Sequence, residues 1–366
     1  MTVYVPAQRL RIGDGRVELD GSYGEGGGKI VRTACALSAL TGVSCRISHI
    51  RARRSRPGLR AQHCTALKGL ARLCDAKTSR LKVGATEVIF SPGTLRPVEL
   101  ELDTGTAGSI GLVLQSLLLA GIGLSGPWKV LVRGGTDVPS APSCDYIKNI
   151  KLVLLAQMGY RVNLRLVRRG YFPKGGGIVQ VEIEPPQGEL LEALHLPVAT
   201  DTTGSYGVSH ASSGMSAGKV AEKQRKQATK GLTDFLHIPS RVHLEYSPTN
   251  SAGSGLLVWA TTNDSVVGAC ALGTSKQPPE QVADQAVEML LRTYHTRAAI
   301  DPWMGDQILP YMALSRAPSV ISVPYLTRHM HTNMWVIQRF LNVRFFCEEE
   351  DQRIRIECVP GKAVSR

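Results

Sequence analysis

The order in which strand-like and helix-like runs follow one another constrains this chain more than any single motif. Arg16–Asp20 and residues 45–52 read as strands, and residues 29–40 between them carry apolar side chains at helical spacing. Residues 62–75 read as a second helix, followed by strands near 81–83, 87–90 and 98–102. A helix is then predicted over 107–120, a strand over 129–132, a helix over 145–158, and alternating strands over 161–167 and 178–183. Strand, helix, strand, helix and paired strands recur in that order. The pattern predicts an α/β (α+β) fold of repeated units whose helices cover one sheet face.

The texture changes at Glu184-Pro185-Pro186-Gln187-Gly188 and changes back after Lys276-Gln277-Pro278-Pro279. The stretch between holds one long basic helix candidate, 216–235, and strands at 242–246, 255–262 and 265–272. Proline punctuation around a self-contained segment predicts an inserted small α/β domain. The expected organisation is therefore 1–185, an insert at 186–279, and a closing part at 280–366. Helices are predicted there at 280–294, 306–315 and 333–340, then a hairpin of 344–348 with 353–359.

With 43 Lys and Arg against 30 Asp and Glu, the 366 residues carry a formal charge of +13. Such an excess attracts polyanions, so a phosphate-bearing partner is expected. Aromatic residues make up only 5%, which limits stacking platforms for bases to a few. None of the eight cysteines forms a C-x-x-C pair, which argues against a zinc ribbon or a thioredoxin-type site. Residues 1–15 are charged and lack the apolar run of a signal peptide. The longest apolar stretch, 110–124, is too short to span a bilayer. The expected location is cytoplasmic, away from membranes.

Two glycine motifs fail on context. Gly121–Gly126 fits G-x-G-x-x-G but ends a helical run instead of following a strand. Gly24-Glu25-Gly26-Gly27-Gly28-Lys29 is one residue short of a P-loop, and Ile30 stands where that loop needs Ser or Thr. The 24–28 loop still follows a strand and opens a helix, where backbone N–H groups can converge on an anion. Glu25 would repel phosphate there unless a divalent cation stood between, so Glu25 is a candidate magnesium or manganese ligand; a solvated turn is the plain alternative. The densest cationic run, Arg51 to Arg60, suits phosphate oxygens through its arginine forks. Loops at 104–109, 134–137 and 173–177 extend the same theme, and together the four loops predict one phosphate-seeking surface. His329 and His331 lie between a strand read over 319–326 and a helix that Thr332 would cap. An imidazole at such a junction can face a cleft as a nucleophile, kept neutral by nearby arginines. A solvated histidine, or a His329–His331 metal pair, are the alternatives.

These segments together resemble the RNA 3′-terminal phosphate cyclases from about residue 16 to 358. The matching stretches are D-G-S-Y-G-E-G-G-G at 20–28, I-R-A-R-R-S-R-P-G-L-R-A-Q-H at 50–63, T-A-G-S at 106–109 and G-G-T-D-V-P-S-A-P at 134–142. G-Y-F-P-K-G-G-G at 170–177, D-Q-I-L-P-Y-M-A-L at 306–314 and H-M-H-T-N at 329–333 complete the series. The resemblance implies βαβαββ-type units, as in enolpyruvyl transferases, with a small α/β insert. It implies ATP as nucleotide, Mg2+ or Mn2+ as metal, and an RNA bearing a 3′-phosphate as partner, and it leaves room for a homo-oligomer. The implied reaction converts that phosphate to a 2′,3′-cyclic phosphate through a histidine–AMP and an RNA–adenylate. The implied nucleophile is His329, in an H-x-x-T pattern with Thr332, and the implied metal ligand is Glu25. The implied nucleotide-binding residues are Glu25, Arg51, Arg54, Gln62, Pro139, Asp306 and Gln307. Lys29 stands where the family usually has Gln, and Arg53 where it usually has Gly. Two other readings share the repeated unit. One is a non-catalytic cyclase-like protein of ribosome assembly, whose members lack the histidine; the other is an enolpyruvyl-transferase-like enzyme acting on a small phosphorylated metabolite.

Overall fold

The computed structural model describes residues 3–4, 15–188 and 190–361. The reading of residues 1–15 as lacking a leader falls outside these residues except at 3, 4 and 15. A short strand β1 (Val3–Tyr4) precedes the first unit: β2 (Arg16–Asp20), α1 (Gly28–Thr41), β3 (Ser44–Ser48), α2 (Ala61–Cys74), β4 (Lys77–Thr78) and β5 (Val88–Ser91). The second unit runs β6 (Leu100–Asp103), α3 (Ile110–Gly121), β7 (Trp128–Gly134), a helical stretch, β8 (Arg161–Arg168) and β9 (Gly177–Glu184). Its helical stretch joins α4 (Cys144–Tyr146) to α5 (Leu152–Gln157) through a π-turn, Ile147–Lys151. A third unit opens with β10 (His195–Leu196) and is interrupted by β11 (Thr202–Ser212), α6 (Val220–Leu236), β12 (Ser240–Ser247), β13 (Ser254–Thr262), β14 (Val266–Leu272) and α7 (Pro279–His295). It resumes with α8 (Pro302–Met312), β15 (Ser319–Val323), α9 (Arg328–Ile337), β16 (Val343–Glu350) and β17 (Arg353–Pro360).

The three units share one topology. Their sheets run β2-β3-β5-β4, β6-β7-β9-β8 and β10-β15-β17-β16, with β1 added beside β16. In each, the first two strands are parallel and the others antiparallel. The fold is therefore α/β with repeated βαβαββ units. Helices pack both within and between units: α1 meets its own α2 and also α3 and α9, while α8 meets its own α9 and also α3. The cause is visible in α1, where Ile30, Val31, Ala34 and Leu37 are fully buried. Each such large aliphatic side chain contributes about 1.5–3 kcal/mol.

Packing draws the interrupting segment differently from residues 186–279. His195 and Leu196 pair with β15 and so belong to the third sheet. Helix α7, beyond the expected end, buries Val282, Ala283, Ala286 and Leu290 in a second core with Leu232, Leu256 and Val258 of the insert. The insert's layers therefore extend from β11 to α7. Other boundaries shift for local reasons. Residues 81–83 are not a strand, and Lys77–Thr78 pairs with β5 in their stead. β11, not expected from the sequence, pairs with both β12 and β13. Its buried positions hold Ser205, Ser209 and His210, so the apolar alternation that marks a strand is missing.

Candidate active site

Helix α9 begins at Arg328, not at the expected 333. Its N-cap is Thr327, whose hydroxyl accepts from the Met330 amide at 3.1 Å. His329 therefore stands in the first helical turn. Thr332, expected as the cap, has a different task. Its hydroxyl donates to the Arg328 carbonyl at 2.8 Å and accepts the Glu25 amide at 2.9 Å. That bond ties the glycine loop to α9. Gly24 makes the approach workable: its φ is +56°, and a β-carbon there would strike the Thr332 hydroxyl.

The junction sets His329 Nδ1 3.6 Å from Glu25 Oε2. His329 is half exposed, whereas the Glu25 side chain retains only 9% exposure. Arg54 pairs with the Glu25 carboxylate and donates to its carbonyl at 3.3 Å. Glu25 Oε2 is buried and makes no hydrogen bond. Burial, joined by Lys29, Arg32 and Arg54, pushes the His329 imidazole below its ordinary pKa against the opposing pull of Asp306. The neutral form, with a free lone pair, is thus favoured at neutral pH.

Beside this pair opens a cleft of about 640 Å³. The first turns of α1, α3, α8 and α9 all reach it, through Lys29, Leu112, Trp303 and His329. Four helix N-termini lend it positive potential. Pro139 and its loop form one wall, and Leu272 of β14 and Met289 of α7 bring the insert to another. Lys29 pairs with Asp306 in the cleft, and Asn333 donates to the Asp306 carbonyl at 2.6 Å. Gln307 turns its amide to the Trp303 carbonyl at 2.9 Å, leaving its own oxygen buried without a partner.

The structure thus brings His329, Glu25, Arg54, Asp306, Gln307 and Pro139 to one region. Arg51 and Gln62 do not line the cleft. Arg51 braces its own loop, donating to the carbonyls of Arg56 (2.7 Å) and Gly58 (3.0 Å). Gln62 opens α2 beside Gly108. Of the four glycine loops, those at 104–109, 134–137 and 173–177 pack together: Gly135 donates to the Gly108 carbonyl and Thr136 to that of Gly170, both at 2.9 Å, and Gly175 lies against Ala107. Their glycines serve close backbone approach.

Three residues escaped sequence reasoning. Arg32 lines the cleft one turn beyond Lys29, its pKa lowered to about 10 by burial. The i, i+3 spacing on α1 could have revealed it. Trp303, 42% exposed, lines the cleft three residues before Asp306. Lys151 lies beneath, its ammonium 5.1 Å from the Tyr311 ring centre and its pKa brought to about 7 by burial and by Lys29. An apolar helix face hid it in the sequence.

A second polar cluster lies where the insert meets the second unit. Asp137, Asp145 and His210 offer ligand atoms within 4.8 Å of one another. A guanidinium pairs with the carboxylates: Arg169 Nη1 is 3.2 Å from Asp137 and 2.7 Å from Asp145, and Nη2 is 2.8 Å from Glu245. Tyr171 bonds His210 Nδ1 at 2.7 Å. The cluster joins the insert to the loop that carries Pro139. Each of the eight cysteines is a free thiol, and among the described residues no helix is long and apolar enough to cross a membrane.

Known proteins can be set beside this chain by both structure and sequence. A solved enolpyruvyl transferase, NikO from Streptomyces tendae, is 15% identical with a TM-score of 0.26, covering 48% of this chain and 33% of its own, a likeness too slight to argue from. Sequence relatives are far nearer. The RNA 3′-terminal phosphate cyclase of Methanopyrus kandleri is 42% identical over 89% of this chain and 94% of its own length. Those of Thermococcus gammatolerans and Pyrococcus furiosus are 42% and 41% identical, over 91% and 89% of this chain and 95% and 94% of theirs. The model of the family RNA 3′-terminal phosphate cyclase matches residues 23–347, a span that takes in the glycine loop, the insert and His329. On these grounds the chain belongs to the RNA 3′-terminal phosphate cyclase family.

Proposed function

We propose that this chain uses ATP to convert an RNA 3′-phosphate into a 2′,3′-cyclic phosphate, with His329 as the covalent nucleophile. The observation that carries the reading is the half-exposed imidazole held against Glu25 at the mouth of a cationic cleft. A cleft of about 640 Å³ suits a nucleotide. Trp303 and Pro139 on its walls fit the flat faces of adenine, and Lys29, Arg32 and the helix starts fit the triphosphate.

With Nδ1 turned to Glu25, His329 keeps Nε2 for attack. Its lone pair bonds to the α-phosphorus of ATP, the bond to the β-phosphate breaks, and pyrophosphate leaves. An oxygen of the RNA 3′-phosphate then attacks the histidine-bound AMP, breaking the N–P bond and giving an RNA–adenylate. The neighbouring 2′-hydroxyl attacks the RNA phosphorus, releases AMP, and gives its proton to solvent. Positioning and charge neutralisation do most of this work.

Glu25 is the residue that would hold Mg2+ or Mn2+, because its Oε2 is buried without a hydrogen-bond partner. Such an ion supplies Lewis acidity and charge neutralisation at phosphate oxygens. Glu25→Gln is expected to raise the metal concentration needed for half-maximal protein adenylylation by at least roughly tenfold. A metal titration of the labelling reaction checks this, and an unchanged midpoint refutes the assignment.

The lowered pKa of His329 carries a pH prediction. Its reactive, neutral form persists below the usual histidine range, so the pH at which the adenylylation rate is half-maximal is expected below ~6.5. A labelling rate that halves at or above pH ~6.5 contradicts the proposed environment. Eight free thiols accord with a cytoplasmic location.

A further inference from the structure

Beside the reactive histidine lies an aromatic pair that the reaction above leaves unused. The rings of Tyr23 and Trp335 stack with centroids 4.1 Å apart and planes 19° apart. The Arg339 guanidinium lies 5.2 Å from the Trp335 ring centre. Tyr23 is the open member, at 47% exposure. Neither ring lines the cleft given to the nucleotide.

Both rings are fixed to the parts that hold the reactive pair. Tyr23 starts the turn that carries Glu25, its carbonyl accepting the Gly26 amide at 2.8 Å. Trp335 lies one helical turn beyond Thr332, the residue that receives the Glu25 amide. Tyr23 is two residues from Glu25, the partner of His329, which limits the backbone between them to about 7 Å. That reach is commensurate with one nucleotide whose 3′-phosphate meets the histidine-bound AMP. An exposed aromatic face accepts any base, because every base has a π-face, and a nearby arginine strengthens such a platform.

We infer that Tyr23, backed by Trp335 and Arg339, is the stacking platform for the terminal nucleobase of the RNA substrate. The inference rests on the reaction proposed above. Such a platform holds the base by its face and reads no base edge, so it would accept any terminal base.

The test compares 3′-phosphorylated oligoribonucleotides that end in a normal or an abasic terminal nucleotide, with wild type, Tyr23→Ala and Tyr23→Phe. Wild type is expected to favour the base-bearing end in kcat/KM by roughly tenfold or more. Tyr23→Ala should lose that preference, raising KM for RNA roughly tenfold with little change in kcat, while Tyr23→Phe retains it. Protein labelling by ATP alone is followed in parallel. An unchanged RNA KM in Tyr23→Ala, or a wild type indifferent to the missing base, overturns the platform. So does a Tyr23→Ala chain that also loses ATP labelling, for the stack would then be a brace of the glycine turn. Absence of labelling and cyclisation in wild type itself would instead overturn the reaction, and the platform with it.

Discussion

His329→Ala is expected to abolish labelling of the protein by ATP carrying a marked α-phosphate, and with it RNA cyclisation, by at least roughly a thousandfold. The argument is one of bond making. Adenylylation needs a nucleophile at the mouth of the cleft, and the His329 imidazole combines an unprotonated nitrogen with access to it. His63 cannot substitute, since it is buried and its Nδ1 accepts the Arg60 amide at 3.0 Å. The folded state should survive, because the His329 side chain is half exposed and its loss leaves no new cavity. Unfolding free energy should stay within about 1 kcal/mol of wild type. His331→Ala is the matched control, two residues on and turned to another side of the helix, and it should label normally. Normal labelling of His329→Ala would show that another atom carries AMP.

Arg169→Leu is expected to lower the unfolding free energy by about 3–5 kcal/mol, read from the urea midpoint at pH 7. Arg169 is 1% exposed and faces Asp137, Asp145 and Glu245. Its removal strands the buried Asp137 and Asp145 carboxylates and deprives the half-buried Glu245 of its partner. The same cluster has an acid signature. Burial opposes ionisation of Glu245, yet the hydrogen bonds and charge of Arg169 hold its pKa at about 2. A carboxylate depressed in this way adds stability above its unfolded pKa, near 4.3. That stability is lost as pH falls through about 2. Wild type should therefore weaken between pH ~4.3 and ~2 through this group, and Arg169→Leu should lack that part of the slope. A loss under about 1 kcal/mol would mean that water already reaches the cluster.

What the sequence made legible follows from the range of the forces involved. The helices α1 and α2 and the strand β2 fall within a residue of their expected places, because local periodicity carries them. α9 starts earlier than its sequence predicts because Arg328-His329-Met330-His331 shows no apolar face, so only the Thr327 cap marks its beginning. β11 went unseen because its buried hydroxyls, such as Ser209 donating to the Ala221 carbonyl at 2.8 Å, are satisfied by tertiary partners. The resemblance points to His329, and the fold sets that residue on the lining of the cleft. The Glu25 contact that orients it was not legible, since nothing local in residues 20–28 announces a meeting with α9. The same holds for Arg32 and Lys151, whose importance lies in charges gathered from other units.

Glu25 and Thr332 meet across 307 positions. During synthesis the first two units can emerge, pair their strands and bury their helices while α9 is still unmade. A nascent or prematurely ended polypeptide thus presents the glycine loop without the α9 hydroxyl that receives the Glu25 amide. Under the proposed reaction, competence for adenylylation therefore arrives only with the closing stretch of translation, when α9 brings His329 to Glu25.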